Sequence, residues 1–452
     1  MYVLYKAIHR LFRDIEAEKQ AAEQTAFLDP LTQLPNRKLL MDRIAQAIRQ
    51  KTRDGIDVAV LVIDLDKFKS INDTFGHSVG DQLIEGAAKR FQERLREVDT
   101  LSRIGGDEFA ILLPQVADAQ GVQKVCEDLL SSVQEVFLLS GKEIYIGASI
   151  GAALGADDDT VIELFQKADI AMYKAKERGD NQPILFSPEM GIVANRKRKV
   201  ENKLREALAS GDGLDVHFQP IVSNNQSVIG LEGFFRWTDT ELGSVSPGEA
   251  IPIAEECGLI DQVGKYVIDQ CIDVAKKFPN ITISLNLSAL QFRDQSLNWR
   301  IEDQVTSQGL SGSQFELEIT EKLLIDQSPE FLENLNKLKK AGFKFALDDF
   351  GTGYSSLNCL NQLKIDTLKL DSKFVSEAKK NNNISLLQSA VALGHTNGLR
   401  VIAEGVSDQD HCDIALSSGC DGIQGHLIAE PMPRGELYDF FLASSKNRLY
   451  VA

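Results

Sequence analysis

The chain has 452 residues, 43% of them hydrophobic and 25% charged, with a formal net charge of −17. This length exceeds one ordinary core and predicts two domains, and the charge excludes binding to long nucleic acids, which need a basic footprint, while leaving room for a small nucleotide in a local basic pocket. No run approaches the ~20 apolar residues of a membrane span, and the scattered cysteines and histidines, without Cys-x-x-Cys or metal-ligand spacing, predict a cytoplasmic protein with reduced thiols and no structural zinc.

Residues 1–27 lack Pro and Gly and place Leu4, Ile8, Leu11 and Ile15 at 4-3-4 spacing. This predicts a helix that either forms a short coiled coil or packs on its own domain. A first domain is expected over 28–188. Its helix from about Lys38 to Lys51 is followed by the unbroken apolar run Val58–Ile63, a strand buried on both faces that ends in Asp64 and Asp66. Two further apolar segments flank Arg103-Ile104-Gly105-Gly106-Asp107-Glu108-Phe109, which reads as a β-hairpin through Gly-Gly. The two acidic clusters each lie at a strand tip. If the strands are neighbours, the clusters converge into a divalent-metal site suited to phosphoryl transfer.

Between them, Asn72 and Asp81 are able to read a purine edge, since an amide pairs bidentately and a carboxylate accepts from the N1 and N2 hydrogens of guanine. Lys69 and Arg103 are candidates to neutralise phosphates. A helix (about Ala119–Phe137), a strand (Ile144–Ala153) and a helix ending in Lys174-Ala175-Lys176 complete this domain.

These stretches, with Asp29–Arg37 and Ala168–Asn181, resemble the GGDEF domain of diguanylate cyclases. The resemblance implies a palm-like α+β domain that condenses two GTP into cyclic di-GMP across a homodimer. By position, Asp64 and Asp107 would bind magnesium beside Glu108, Asn72 and Asp81 would hold guanine, Lys69 and Lys176 would contact phosphates, and Arg103 would lie beside the site. Arg96 and Asp99 match the family's Arg-x-x-Asp inhibitory site, which takes the product. One departure stands out: Gly179-Asp180-Asn181 replaces the usual Gly-Arg-Asn, which should weaken GTP binding unless Arg178 substitutes.

A helical linker is expected over 189–211, its charged stretch running from Asn195 to Leu208 and ending at Gly211-Asp212-Gly213. The second domain, 212–447, alternates short apolar strands with amphipathic stretches. Eight strands are expected: Leu214–Val222, Val228–Arg236, Ile281–Leu287, Phe315–Thr320, Phe343–Asp348, Thr367–Leu370, Arg400–Ala403 and Gly422–Gln424. The first two form a hairpin, and the rest are separated by helix-sized segments, as in a TIM-like (β/α)8 barrel. Glu232, Asn286, Glu318, Asp348, Asp349, Lys369, Glu404 and Gln424 lie within or at the ends of these strands, so they converge on one mouth. Such hard oxygen donors favour Mg2+ or Mn2+ over zinc.

This segment resembles the EAL domain of cyclic di-GMP phosphodiesterases, through Phe218–Val222, Asn286-Leu287-Ser288, Glu318–Glu321, Asp348–Leu357, Leu368–Asp371, Ala403–Val406 and Gln424-Gly425. The resemblance implies that Glu232, Asn286, Glu318 and Asp348 bind one ion and Asp349 a second. Lys369 would orient the attacking water, Glu404 would be the base or its helper, Arg236, Gln219 and Gln424 would contact substrate, and Glu321 would brace the Asp349–Ser356 loop. The signature itself reads Glu232-Gly233-Phe234, keeping the ligand but changing its neighbours; Gly233 would loosen the metal site. The expected function is turnover of cyclic di-GMP by a tandem GGDEF–EAL protein, dimeric and driven by an upstream sensor domain or protein. Two alternatives stay open: a phosphodiesterase whose first domain is a GTP-binding regulator, and a receptor that binds cyclic di-GMP without turnover.

Overall fold

The computed structural model describes residues 27–447 apart from 295, 322, 324–327, 352–362 and 382. The expected N-terminal helix, Cys359 and the Thr352–Leu357 part of the loop after Asp349 therefore lie outside the described residues. The chain divides into two compact units between Arg196 and Lys197.

The first unit holds strands β1 (Asp57–Leu65), β2 (Thr100–Gly105), β3 (Glu108–Val116), β4 (Phe137–Leu139), β5 (Lys142–Ile144), β6 (Ala148–Leu154) and β7 (Ile184–Leu185). Five of them form one sheet in the order β2-β3-β1-β6-β7, which puts β1 at its centre. That position explains the unbroken apolar run of β1. Ala59, Leu61, Ile63 and Leu65 pack into a core with Leu83, Phe91, Val122 and Leu129, and Val58, Val60 and Val62 pack into another with Leu40, Ile44, Leu164 and Met172. The helices supplying those residues, Arg37–Asp54, His77–Glu93, Ala119–Gln134 and Val161–Arg178, thus cover both faces. Three of them carry side-chain N-caps: Asn36 and Asp118 accept from backbone N–H groups, and Thr160 with Glu163 forms a capping box.

The strand expected over Ile144–Ala153 is two elements. β5 pairs with β4 in a separate two-stranded ribbon, and β6 joins the main sheet. The charged stretch expected to be helical over Asn195–Leu208 belongs to a longer helix, Pro188–Ser210.

The second unit is a closed barrel. Its strands are β8 (Leu214–Ser223), β9 (Val228–Asp239), β10 (Gly243–Val245), β11 (Thr282–Asn286), β12 (Phe315–Thr320), β13 (Lys344–Phe350), β14 (Thr367–Leu370), β15 (Arg400–Ala403), β16 (Gly422–Gln424) and β17 (Met432–Pro433). The ring runs β9-β11-β12-β13-β14-β15-β16-β8 and closes through β8–β9; β8 is antiparallel to both neighbours and the other ring pairings are parallel. The two short strands absent from the sequence expectation, β10 and β17, extend β9 and β8 outside the ring.

The N-terminal end of the barrel is closed by a buried polar knot. Glu316 accepts hydrogen bonds from Thr367 Oγ1 (2.6 Å), Arg400 Nη2 (3.1 Å) and Ser284 Oγ (3.3 Å). The opposite end, where the parallel strands finish, carries the acidic residues.

Candidate active sites

In the first unit, β1 and β3 run antiparallel with Asp64 directly opposite Glu108, and Leu65 N donates to Asp107 O at 3.3 Å. The two acidic clusters therefore converge as expected. Lys176 reaches in from the helix Val161–Arg178 and donates to Asp64 Oδ1 at 2.7 Å. Burial raises the Asp64 carboxyl above its ordinary range; Lys176 pulls against this, and Asp107 and Asp66 add to it. Burial raises Glu108 too, with Asp64 and a further carboxylate, Asp169, reinforcing it. Clustered carboxylates with too little counter-charge are a fit for a divalent cation. Asp66 turns away to accept from Ser149 Oγ at 2.8 Å.

Asn72 sits on the helix Phe68–Phe75 with its Oδ1 buried and without a hydrogen-bond partner among the described residues. Gly80 of the next helix makes this possible: a Cβ there would fall 1.9 Å from that oxygen. Asp81 follows Gly80 and is exposed, as is Lys69. A buried acceptor lacking a donor, beside an exposed carboxylate, suits the N–H-rich edge of a guanine.

Arg103 is placed differently from a free phosphate ligand. Its Nε and Nη2 donate to Gly106 O (3.0 and 2.8 Å), and its Nη1 donates to Asp29 (3.0 Å). It clamps the hairpin turn, where Gly106 takes φ +55°, onto the segment ahead of the first helix. Arg178 does not substitute for the missing cation at 180 either, because it pairs with Asp180 itself at 2.6 Å. Arg96 and Asp99 are brought together: Arg96 N donates to Asp99 Oδ2 (2.8 Å), and both line a cavity of about 290 Å3 with Arg43.

In the barrel, Lys369 is the centre of the mouth. Its fully buried ammonium donates to Glu232 (2.7 Å) and Glu318 (2.8 Å), pairs with Glu404 at 2.7 Å, and lies 4.0 Å from Asp348. Asn286 Nδ2 donates to the second oxygen of Glu232 at 2.9 Å. Gln424 Nε2 donates to Glu232 (2.8 Å) and to Gln219 (3.1 Å), and Gln219 in turn donates to Ala429 O (3.0 Å). The last loop of the barrel is thereby tied to a metal-ligand candidate. Asp349 takes φ +55°, a left-handed conformation that aspartate tolerates better than most residues, and its N donates to Asp348 Oδ1 at 2.9 Å. Glu321 accepts from Gly351 N at 3.3 Å, at the start of the loop it was expected to brace.

The electrostatics follow from many carboxylates around one cation. Burial pushes Glu404 up to about 8 against the pull of Lys369, with Asp348 and Glu232 adding to the push. Glu318 is pushed well above its ordinary range by burial and by Glu232. Burial pushes Glu232 up too, but Lys369, together with hydrogen bonds from Gln424 and Glu318, holds it below its ordinary range. Asp348, Asp349 and Glu404 each offer an oxygen within 4.8 Å of the others, and Glu318 Oε1 is buried without a hydrogen-bond partner among the described residues. All-oxygen donors with a surplus of negative charge and an orphaned buried oxygen fit a divalent cation.

The space a methyl would take at Gly233 is already occupied. A Cβ at that position would lie 3.0 Å from Cys271 Sγ and 3.3 Å from Val216 Cγ1, so the missing methyl is space already filled from behind. No pattern within the strand signals Cys271, whose relevance appears only when the helix Ile260–Lys277 packs on β9.

The EAL domain family matches residues 201–431, and the diguanylate cyclase GGDEF domain family matches residues 26–182. The chain belongs to the GGDEF–EAL tandem family. It is 37% identical over 422 residues, 92% of its length, to the bifunctional diguanylate cyclase/cyclic di-GMP phosphodiesterase MucR of Pseudomonas aeruginosa, and 35% identical over 432 residues, 93% of its length, to the cyclic di-GMP phosphodiesterase PdeR of Escherichia coli. It spans 61% of the first and 64% of the second, so it corresponds to part of each. The barrel resembles a solved structure described as the PaMucR phosphodiesterase in complex with c-di-GMP, at 34% identity and a TM-score of 0.50, covering 53% of this chain and 99% of that one. The EAL enzyme Bd1971, at 24% identity and a TM-score of 0.52 over 66% of this chain and 82% of its own, shares the fold. Among the described residues no helix is long and apolar enough to cross a membrane.

Proposed function

We propose that the barrel hydrolyses cyclic di-GMP to linear pGpG with Mg2+ or Mn2+, and that the first unit synthesises cyclic di-GMP from two GTP as part of a cytoplasmic homodimer. The observation that carries the hydrolase reading is the ring of carboxylates around Lys369. Glu232, Asn286, Glu318 and Asp348 would hold one cation and Asp349 a second. When bound, the cations supply a more acidic water and neutralise charge on the phosphodiester. Lys369 then orients the attacking water, and Glu404, paired with Lys369 at 2.7 Å, accepts its proton. The water oxygen bonds to phosphorus, the P–O3′ bond breaks, and O3′ takes up one proton. Gln219, Arg236 and Gln424 contact the substrate.

In the first unit, Asp64 and Asp107 would hold magnesium beside Glu108, with Asn72 and Asp81 on guanine and Lys69 and Lys176 on phosphates. The 3′-hydroxyl of one GTP attacks the α-phosphorus of the other and releases pyrophosphate, so two copies of the unit must face each other. Arg96 and Asp99 would bind the product and limit synthesis. One observation favours a second reading, in which only the barrel turns over and the first unit binds GTP as a regulator: the Arg178–Asp180 pair leaves that unit one phosphate-binding cation short.

Incubation of the full chain with Mg2+ and either GTP or cyclic di-GMP, followed by product separation, tests both. Glu232→Ala is expected to abolish pGpG formation and leave synthesis intact. Absence of pGpG from wild-type protein in excess cyclic di-GMP removes the hydrolase reading.

A further inference from the structure

Two of the acidic turns at the barrel mouth are not fixed by strand pairing. On β13, Leu347 lies opposite Leu368 and Phe350 opposite Leu370, so three steps of β13 face two of β14. The extra residue makes a bulge, and the bulge falls on Asp348 and Asp349. A bulge leaves its extra residue out of the ladder, and Asp349 sits there at φ +55°. Glu404 lies just past β15, where its N donates to Leu370 O at 3.0 Å, and the chain then turns at Gly405 with φ +64°. The separation of these two turns matters. Two oxygens on one divalent cation cannot stand more than about 4–5 Å apart, and those of Asp348, Asp349 and Glu404 already spread over 4.8 Å. A small outward shift of either turn would lose a ligand.

The helix Ser372–Asn381, separated from β14 by Asp371 alone, touches both turns. Asp371 caps it: its Oδ1 accepts from Lys373 N at 2.9 Å and its O from Phe374 N at 3.0 Å. Phe374 lies against Gly351, so closely that a Cβ on Gly351 would overlap the ring. The same ring lies within 9° of parallel to Phe350, with centroids 6.4 Å apart. Gly351 is gripped from a second side, since its N donates to Glu321 at 3.3 Å. Ser372 lies against Gly405 in the same way, and a Cβ on Gly405 would overlap that of Ser372. At the far end of the helix, Lys379 pairs with Asp408 (2.8 Å) and Asp410 (3.1 Å), at the start of the helix Gln409–Ser417. Surface pairs of this kind hold little, so the packing at the first turn does the spacing.

We infer that Ser372 and Phe374 are positioning residues for the second cation: they set the distance between the Asp348–Asp349 turn and the Glu404 turn. The inference rests on the two-cation reading of the same mouth. Neither side chain touches a metal ligand's oxygen; each acts through the glycine that follows a ligand. Glu232, Asn286 and Glu318 are tied to one another and to Lys369, so the first cation keeps most of its ligands when the spacer changes, and the second does not.

The test uses the full chain carrying Asp64→Asn and Asp107→Asn, which silences the cation site of the first unit, with Mn2+ as the probe. Calorimetric titration counts the remaining sites and gives their Kd, and electron paramagnetic resonance separates a spin-coupled Mn2+ pair from isolated ions. This parent is expected to bind two Mn2+ with the coupled signal. Phe374→Ala is expected to weaken the second Mn2+ by about ten- to a hundredfold, the usual cost of removing support from a metal ligand, and to replace the coupled signal with that of isolated ions. Ser372→Val thickens the spacer and is expected to act the same way through Glu404. Phe374→Tyr keeps the ring and should bind as the parent does. In turnover, kcat of Phe374→Ala should fall at low Mn2+ and recover as Mn2+ is raised, with KM for cyclic di-GMP changed far less. A merely structural role would lower stability in urea and leave Mn2+ affinity and the coupled signal intact. That result in both Phe374→Ala and Ser372→Val overturns the inference, as does a parent that binds one Mn2+; Phe374→Leu replaces Phe374→Ala if the latter does not fold. Absence of hydrolysis by a parent that binds two Mn2+ defeats the hydrolase reading alone, and the two binding measurements still decide the spacer.

Discussion

Restoring the alanine of the family signature at Gly233 is expected to harm this barrel. The added methyl would sit 3.0 Å from Cys271 Sγ, 3.3 Å from Val216 Cγ1 and 3.4 Å from Phe218 Cε1, where carbon contacts are most favourable near 3.5–4.0 Å. Cys271 and Phe218 are both fully buried, so neither has free space to retreat into. Overpacking of this kind costs about 1–3 kcal/mol, partly offset by the ~0.5–1 kcal/mol gained when glycine leaves a strand. The net expectation is a loss of about 1–2 kcal/mol. Cys271→Ala removes the sulfur and opens space, so Gly233→Ala combined with Cys271→Ala should be more stable than the sum of the single changes by about 1 kcal/mol or more. The assay is selective, because both tryptophans of the chain, Trp237 and Trp299, belong to the barrel unit. Fluorescence-detected unfolding in urea therefore reports that unit. Stabilisation by Gly233→Ala alone, or strict additivity of the two changes, refutes the packing argument.

Three further outcomes follow from the same geometry. Lys369→Met strands several buried carboxylates, so the metal-free barrel should lose about 3–5 kcal/mol, and Mn2+ should recover more stability in the variant than in the wild type; equal Mn2+-induced shifts in melting temperature would contradict this. Glu404 is raised to about 8 from an ordinary 4.5, so the stability it contributes to metal-free protein is complete below about 4.5 and is lost as pH rises through 8. Because a proton on Glu404 removes negative charge beside the cation site, Mn2+ affinity should increase over that window, and calorimetric titrations at pH 6 and pH 8 showing the reverse order would rule it out. In the first unit, Gly80→Ala should displace Asn72 and weaken GTP binding by tenfold or more while leaving the sheet folded; unchanged GTP affinity would mean that Asn72 does not read the base.

What was legible in the sequence is what depends on local pattern. The unbroken apolar run ending at Asp64 marked the central strand because burial on two faces leaves no polar alternation. The alternation of short strands with helix-sized segments marked the barrel, and the polar residues at strand ends marked its mouth. What escaped depends on partners far along the chain. Arg103 reads as a phosphate ligand until Asp29, 74 residues away, takes its guanidinium. The strand over Ile144–Ala153 breaks near Gly147, where a Cβ would come 2.7 Å from Asp66 Oδ2, a contact set by tertiary packing. β17 is only two residues long, too short to leave a periodic signature. Gly233 looked like slack because Cys271 lies on a different element.

The ion pairs of Lys369 also bear on the order in which the barrel acquires its parts. A mouth lined by carboxylates alone would repel itself during closure and would need a cation to finish folding. This one brings a covalently attached cation on β14, which gathers Glu232 from β9, Glu318 from β12 and Glu404 from just past the end of β15. These carboxylates thus have a counter-charge within the fold itself. On the metal-dependent reading proposed above, metal supply would then set how many molecules are active more than how many are folded, which separates the control of output from the control of protein abundance.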